Sequence, residues 1–513
     1  MNKTFKFGID RLTYEIALEM ANGKRKGVLC DEAIGRIEKS RQYVAEIVES
    51  ESVVYGINTG FGPLVDTKIS KKETMQLQHN ILMSHAVGIG NYISPLLSKI
   101  MLILKVHALS LGYSGIRLKT VQRIIRMIDS DLIPCVPEKG SVGASGDLAP
   151  LSHLFLPLIG LGEIHYKNEI KDAGEVLQSE QLEPLVLGPK EGLALINGTQ
   201  FIAAHAVLAL QRMKNILDIA DVAGALSLEG LMGSARPFDS RLHEIRPFAG
   251  SQIVAGRLCA LLDNSAIRNA HIDCDRIQDP YSLRCMPQVH GASRNAWLHL
   301  KELVEIEINS VTDNPVILGS NQTISGGNFH GQLLAVPLDY ATIAAAEIGN
   351  ISERRSYLII EGRFGLPKLL IENAGLNSGF MIPQYSAAAL VTENKTLCFP
   401  ASADSIPTSL GQEDHVSMGS ISGRKLNQVI DNVEYILAIE LLYAAQAVDF
   451  RRPLQSTPVM ENVHAMIRAQ VDFASEDRVF SKDIKLLHQL VVQAQLVDLV
   501  RHYAEENNIE ILK

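Results

Sequence analysis

Residues Lys139 to Phe155 read KGSVGASGDLAPLSHLF, and at their centre Ala144-Ser145-Gly146 hold the parts of a reaction. Small residues on both sides let the backbone fold tightly, and Gly146 can take angles that a side chain would forbid. If the Gly146 amide nitrogen attacks the Ala144 carbonyl carbon, a five-membered ring closes. Loss of water from the ring, and of the Ser145 hydroxyl as a second water, leaves an exocyclic methylidene. The product is a carbon electrophile. No ordinary side chain is one, so an enzyme that needs it borrows a cofactor or builds it. The tripeptide alone also reads as a turn capping a helix. Gly-Ala-Ser recurs at Gly291 to Ser293, where Arg294 comes next and ring closure is harder.

Other residues have the types that would serve such an electrophile. Tyr55-Gly-Ile-Asn-Thr-Gly-Phe-Gly62 holds three glycines in seven residues, a pliable loop on which a tyrosine can close over a site. Its phenol, with a pKa of about 10, needs a cation or hydrogen-bond donors nearby to act as a base. Pro280 suits the first turn of a helix, which puts Tyr281 and Arg284 on one face. An arginine fork there suits a carboxylate. No phosphate loop, dinucleotide fingerprint or H-E-x-x-H motif is present. His271-Ile-Asp-Cys-Asp275 has metal-ligand composition, but contiguous side chains point different ways, so no metal is expected.

The elements that must position these groups fall into two textures. Up to residue 196 the chain is mixed. Leu12 to Asn22, Cys30 to Glu51, Met75 to Val87, Leu97 to Leu111 and Leu118 to Ser130 read as helices, and Glu163 to Val186 as the place for short strands. From residue 197 to 513 apolar residues recur at helix spacing. Ile202 to Ala223, Leu338 to Ile351, Val433 to Leu442 and Leu487 to Val497 are stripes, and their small residues let helices approach closely. The pattern predicts a bundle of long helices after a mixed N-terminal domain of residues 1–196.

The 513-residue chain is too long for a typical single core. Its net charge of −9, single Trp and 5% aromatic content argue against nucleic acid as partner. No stretch of about 18 apolar residues offers a membrane span. The six cysteines are scattered, which reads as reduced thiols in the cytoplasm.

Gly140 to His153 resembles, nearly letter for letter, the cofactor loop of the aromatic amino acid ammonia-lyases. Six further segments resemble that family in order. They are Tyr55–Gly62, Leu77–Gly90, Leu195–Gln200, Gln278–Gly291, Ser325–Gly331 and Gln412–Gly419. Ser310–Pro315 also fits, as a helix end. The resemblance implies a mostly α fold, a long-helix bundle of the fumarase/aspartase-like architecture. It implies 4-methylidene-imidazol-5-one (MIO) formed from Ala144, Ser145 and Gly146, with no metal and no nucleotide. It implies a homotetramer whose active sites draw on more than one subunit.

By the same resemblance Tyr55 is the catalytic tyrosine and Asn197 and Tyr281 serve the cofactor carbonyl region. Arg284 holds the substrate carboxylate, and Glu413 is the important active-site carboxylate. His85, Gln278, Asn328, Phe329 and Gln412 bind substrate. Members directed to phenylalanine or tyrosine typically carry Phe-Leu or His-Leu where Ser84-His85 stand, and glutamine in place of Glu413. Ser84-His85 with Glu413 is the pattern of the histidine-directed members, which release ammonia and trans-urocanate. Imidazole has a donor and an acceptor, and a carboxylate and a second imidazole meet both. A tyrosine or phenylalanine lyase or aminomutase of the family remains the alternative. So do an enzyme using Ser145 as a plain serine and a non-catalytic helical scaffold.

Overall fold

Helices carry most of the chain, and the strands are short and paired in twos and threes. The structure, a computed structural model, describes residues 3–50, 54–57, 59, 60, 62, 69, 70, 73–271, 276–320 and 322–512. Two compact units emerge. The first is built from residues 1–208, 301–338 and 400–424, the second from 209–300, 339–399 and 425–513. Four of the five boundaries fall inside the long helices Gln200–Gly230, Met286–Glu307, Gln332–Ile360 and Gly419–Asp449, and the fifth follows the Met381–Leu397 helix.

Among the described residues every strand lies in the first unit. Lys3–Lys6 runs parallel to Arg25–Val28, and Ile89–Tyr92 pairs antiparallel with Pro137–Lys139. Ile133–Pro134 joins the hairpin of Glu163–Tyr166 and Glu169–Asp172. That hairpin turns through Lys167 and Asn168, both at positive φ, as a tight two-residue turn demands. The sequence pattern places strands as far as Val186, and the structure ends them at Asp172. There Asp172 accepts from the backbone N–H groups of Gly174 (2.8 Å) and Glu175 (3.2 Å) and starts a helix over Ala173–Ser179.

The Pro95–Ser110 helix begins with Ser94 accepting from Leu97 N and Pro95 in the first turn. It is buried on nearly every side, including the charged Lys105. The Leu118–Asp129 helix, in contrast, buries one face through Val121, Ile124, Met127 and Ile128.

The second unit is helical among its described residues, and its interior holds paired charges. Asp218 meets Arg257 at 2.7 Å and Arg294 at 3.1 Å, and Asp221 meets Arg294 at 2.9 Å and His290 at 2.8 Å. Arg355 pairs with Glu440, both fully buried. Burial works against the Asp218 carboxylate, but Arg257, Arg294, Lys214 and Arg501 overcome it and hold its pKa at about 2. The stripe from Leu487 to Val497 is two helices, Phe480–Val492 and Gln495–Asn507, not one. Ala494 stands between them at φ +56°, which ends one helix and re-aims the next. Spacing alone does not reveal such a break, because apolar residues continue at helix spacing across it, from Leu487 and Val491 to Val497.

Candidate active site

The small-residue loop lies between the Pro137–Lys139 strand and the Leu148–Phe155 helix. Ser145 takes φ +51° and Gly146 φ +79°. A Cβ at position 146 would stand 2.2 Å from the Gly198 carbonyl oxygen, so only glycine fits this approach. Asp147 anchors the far end of the loop. Its N–H donates to Gly198 O at 2.7 Å, and its Oδ2 accepts from Phe201 N (3.1 Å) and Ile202 N (3.0 Å) in the first turn of the Gln200–Gly230 helix. Burial pushes the Asp147 carboxyl up to about 7, against the hydrogen bonds from Ile202, Ser141 and Phe201. From the other side Met418 N donates to Val142 O (3.0 Å) and Ser420 Oγ to Ser141 O (2.6 Å).

Two polar side chains grip Ser145. Asn197 Nδ2 donates to its carbonyl oxygen at 2.7 Å. Its hydroxyl donates to Glu413 Oε1, also at 2.7 Å. The second Glu413 oxygen accepts from Thr408 Oγ1 (2.9 Å) and Ser409 Oγ (2.8 Å), so the carboxylate is fixed by three hydroxyls. These contacts suit the imidazolone group. Asn197 donates to the oxygen that would become the ring carbonyl, and Glu413 receives the hydroxyl that would leave. Asn197 Oδ1 is buried and accepts from no protein group among the described residues.

Ser145, Asn197 and Glu413 open on a cavity of about 890 Å³, also lined by Tyr55, Ser84, His85, Phe329 and Gln412. The Thr74–His85 helix contributes one face, Leu77, Asn80, Ile81, Ser84 and His85. It is held against the Glu191–Ile196 helix, where Gly192 N donates to Gln78 Oε1 at 2.9 Å. His153 accepts from Gly88 N at 3.0 Å and fixes the chain just after His85. His85 Nδ1 lies 3.0 Å from Ser84 Oγ. Burial lowers its pKa, partly offset by the Ile81 backbone and Glu413, so at neutral pH the ring is uncharged.

Burial raises the Tyr55 pKa. A hydrogen bond from Gly62 N opposes this and the Glu413 charge adds to it. None of the described residues lining the cavity is Lys or Arg. Of the loop that carries Tyr55, Asn58 and Phe61 lie outside the described residues.

The cavity therefore gathers Tyr55, His85, Ser145, Asn197, Phe329, Gln412 and Glu413. Asn328 is exposed and donates to Val311 O (3.0 Å), and it is not among the lining residues. Gln278, Tyr281 and Arg284 belong to the second unit and do not line it either. There Arg284 stacks 4.5 Å from the Tyr281 ring centroid and donates Nε–H to Asp279 O at 3.1 Å, while Tyr281 is 71% exposed. His271 bonds Ile267 O and Gly233 O, and residues 272–275 of the metal-like run lie outside the described residues.

Sequence reasoning misses Thr408, Ser409 and Lys105. The hydroxyls give no signal in a polar loop. Lys105 does give one, a lone charge in the run Met-Leu-Ile-Leu-Lys-Val.

A helical fold around a loop suited to build its own electrophile, with a carboxylate and a tyrosine beside it, defines a carbon–nitrogen lyase site. The profile of the family described as aromatic amino acid lyase matches residues 12–469. A histidine ammonia-lyase of Sorangium cellulosum (strain So ce56) is 47% identical, over 94% of this chain and 96% of its own length. The crystal structure of histidine ammonia-lyase from Trypanosoma cruzi superposes with a TM-score of 0.89 at 42% identity, covering 98% of this chain and 95% of that one. The tyrosine aminomutase from Streptomyces globisporus superposes at 0.93 with 32% identity, over 98% and 99% of the two chains. This chain belongs to the aromatic amino acid lyase family.

Proposed function

We propose that the protein is a histidine ammonia-lyase. It eliminates ammonia from L-histidine without oxidation and gives trans-urocanate, the first step of histidine degradation. The fold is shared with a tyrosine aminomutase, so substrate choice rests on the cavity. The observation that carries the reading is a set of polar groups among the apolar residues of the cavity lining. Ser84, His85 and Glu413 line the same cavity as Ser145, among Leu77, Ile81, Leu148 and Leu193. A neutral imidazole and a carboxylate there match the donor and acceptor of a substrate imidazole.

The β-hydrogens of histidine are barely acidic and its amine leaves poorly. The MIO group built from Ala144, Ser145 and Gly146 supplies the electrophile that makes the amine a better leaving group. Asn197 stabilises charge on the Ser145 carbonyl oxygen through its amide N–H. His85 and Glu413 orient the imidazole, and Phe329 packs against it. Tyr55 takes the β-proton. A tyrosine whose pKa is raised by burial and a nearby carboxylate is a poor base until a cation joins it. A substrate carboxylate also lacks a cationic partner among the described lining residues. Both needs are met if Arg284, with Tyr281 and Gln278, reaches the cavity from another copy of the chain. A homotetramer with shared sites is thus part of the proposal. So is a division of labour in which residues 1–196 carry the cofactor and lid loops and 197–513 complete the site. The scattered cysteines fit the cytoplasm. No described helix is long and apolar enough to cross a membrane.

The test is kcat/KM for L-histidine, L-tyrosine and L-phenylalanine, with urocanate followed by its ultraviolet band. A buried polar pair left unmatched by a benzene ring rejects it by up to about 10⁴-fold. Tyrosine or phenylalanine equal to histidine overturns the substrate assignment and leaves the lyase chemistry standing.

A further inference from the structure

Lys105 is the one charge on the apolar interior of the Pro95–Ser110 helix and is 1% exposed. A buried ammonium is costly unless its donors have work, and here a short hydrogen bond supplies it. Nζ donates to the backbone oxygen of Asn197 at 2.6 Å. Asn197 is the residue whose side chain donates to Ser145 O at 2.7 Å. Its peptide is held from the other end by Leu193, whose carbonyl accepts from Asn197 N at 2.9 Å. The next residue, Gly198, accepts from Asp147 N at 2.7 Å. Lys105 thus closes a chain of contacts behind the cofactor loop without lining the cavity.

We propose that Lys105 is a positioning residue for the elimination: its ammonium fixes the Asn197 peptide so that the Asn197 amide stays on the Ser145 carbonyl. The role rests on the proposed lyase function. The charges that face Lys105 are Asp313, Lys190 and Asp147. Lys190 is paired with Asp313 at 2.8 Å, and both are buried. Two cations and two carboxyl groups make a nearly neutral cluster, which is why a charge survives there. Burial lowers the Lys105 pKa to about 7, with Asp313 and Asp147 resisting and Lys190 adding to the fall. An apolar side chain of equal length would pack in the same space at less cost. The charge is therefore kept for what it holds.

The experiment is a double-mutant cycle on full-length enzyme with Lys105→Met and Asn197→Ala. Intact mass of the denatured proteins gives the fraction with the ring formed, and rates are divided by it. In the wild-type background Lys105→Met should lower kcat by about 10- to 100-fold with KM changed less than about threefold, as expected for loss of a contact that matters in the transition state. In the Asn197→Ala background the same change should cost less than about threefold, because the residue it acts through is gone. Equal losses in both backgrounds, or a Lys105→Met enzyme with wild-type kcat, overturn the proposal. Should Lys105→Met not fold, Lys105→Gln, which keeps a shorter neutral donor, is put through the same cycle with the same criteria. If wild type makes no urocanate but turns over tyrosine, the histidine reading fails and the cycle is run on tyrosine. The coupling between Lys105 and Asn197 then still decides this proposal.

Discussion

Gly143-Ala144-Ser145 and Gly291-Ala292-Ser293 are the same three residues in two settings. The first lies in a loop, half-buried, with its serine at positive φ and its hydroxyl on a carboxylate. The second lies within the Met286–Glu307 helix, where Ser293 is 2% exposed and donates to Ala344 O at 2.7 Å. Gly291 there serves close packing, since a Cβ would meet Ser251 N at 2.5 Å. The fourth residue separates the two. Gly146 leaves room for a tight turn, while Arg294 commits its stretch to the buried carboxylates Asp218 and Asp221. A reactive sequence becomes a reactive site only where the backbone is free of a helix and something holds the ends.

The sharpest way to separate the two settings is Ser145→Ala. It should lower turnover by more than about 10³-fold, the scale seen when the group that carries the chemistry is removed. The wild-type protein should be lighter than its sequence by two waters and the variant should match its sequence mass. An active protein of unmodified mass sinks the cofactor. On the other side, Arg294→Met leaves two fully buried carboxylates short of a partner and should cost about 3–5 kcal/mol in urea unfolding. Any enzyme that stays folded should keep its mature mass.

Acid titration probes the same helical setting. The Asp218 pKa is about 2 in the folded protein against about 3.9 unfolded, so its contribution is full above pH 4 and lost as pH falls through 2. Stability should decline by about 2 kcal/mol across that window. A flat profile there would mean the pairs with Arg257 and Arg294 do not hold. Ser293→Ala is the mildest change, about 1 kcal/mol of stability with kcat unaltered. A loss of kcat without a loss of stability would blur the distinction between the two serines.

The long helices were legible because stripes of apolar residues recur at spacings of three and four, while the particular architecture was legible only through resemblance. The gathering of Tyr55, His85, Asn197 and Glu413 around Ser145 was legible only through resemblance, since nothing in spacing brings together residues up to 358 positions apart, as read from their numbers. The break at Ala494 and the helix at Ala173–Ser179 were not legible. One hangs on a single left-handed residue within unbroken apolar spacing, the other on an aspartate cap that composition ranks below the neighbouring strand signal.

The partners that hold the cofactor loop also set a time. Glu413 comes 268 residues after Ser145, and Met418 and Ser420 later still. At about 5–20 residues per second, a ribosome needs roughly 15–50 s to cover that distance. Until then the loop has no carboxylate for its hydroxyl and no clamp on Ser141 and Val142. Chains arrested at residue 400 should therefore carry an unmodified Ala-Ser-Gly by mass, while released full-length chains lose two waters. On the proposed cofactor chemistry, the electrophile would be armed only once nearly the whole protein has been made, and a prematurely ended chain would leave the ribosome chemically harmless.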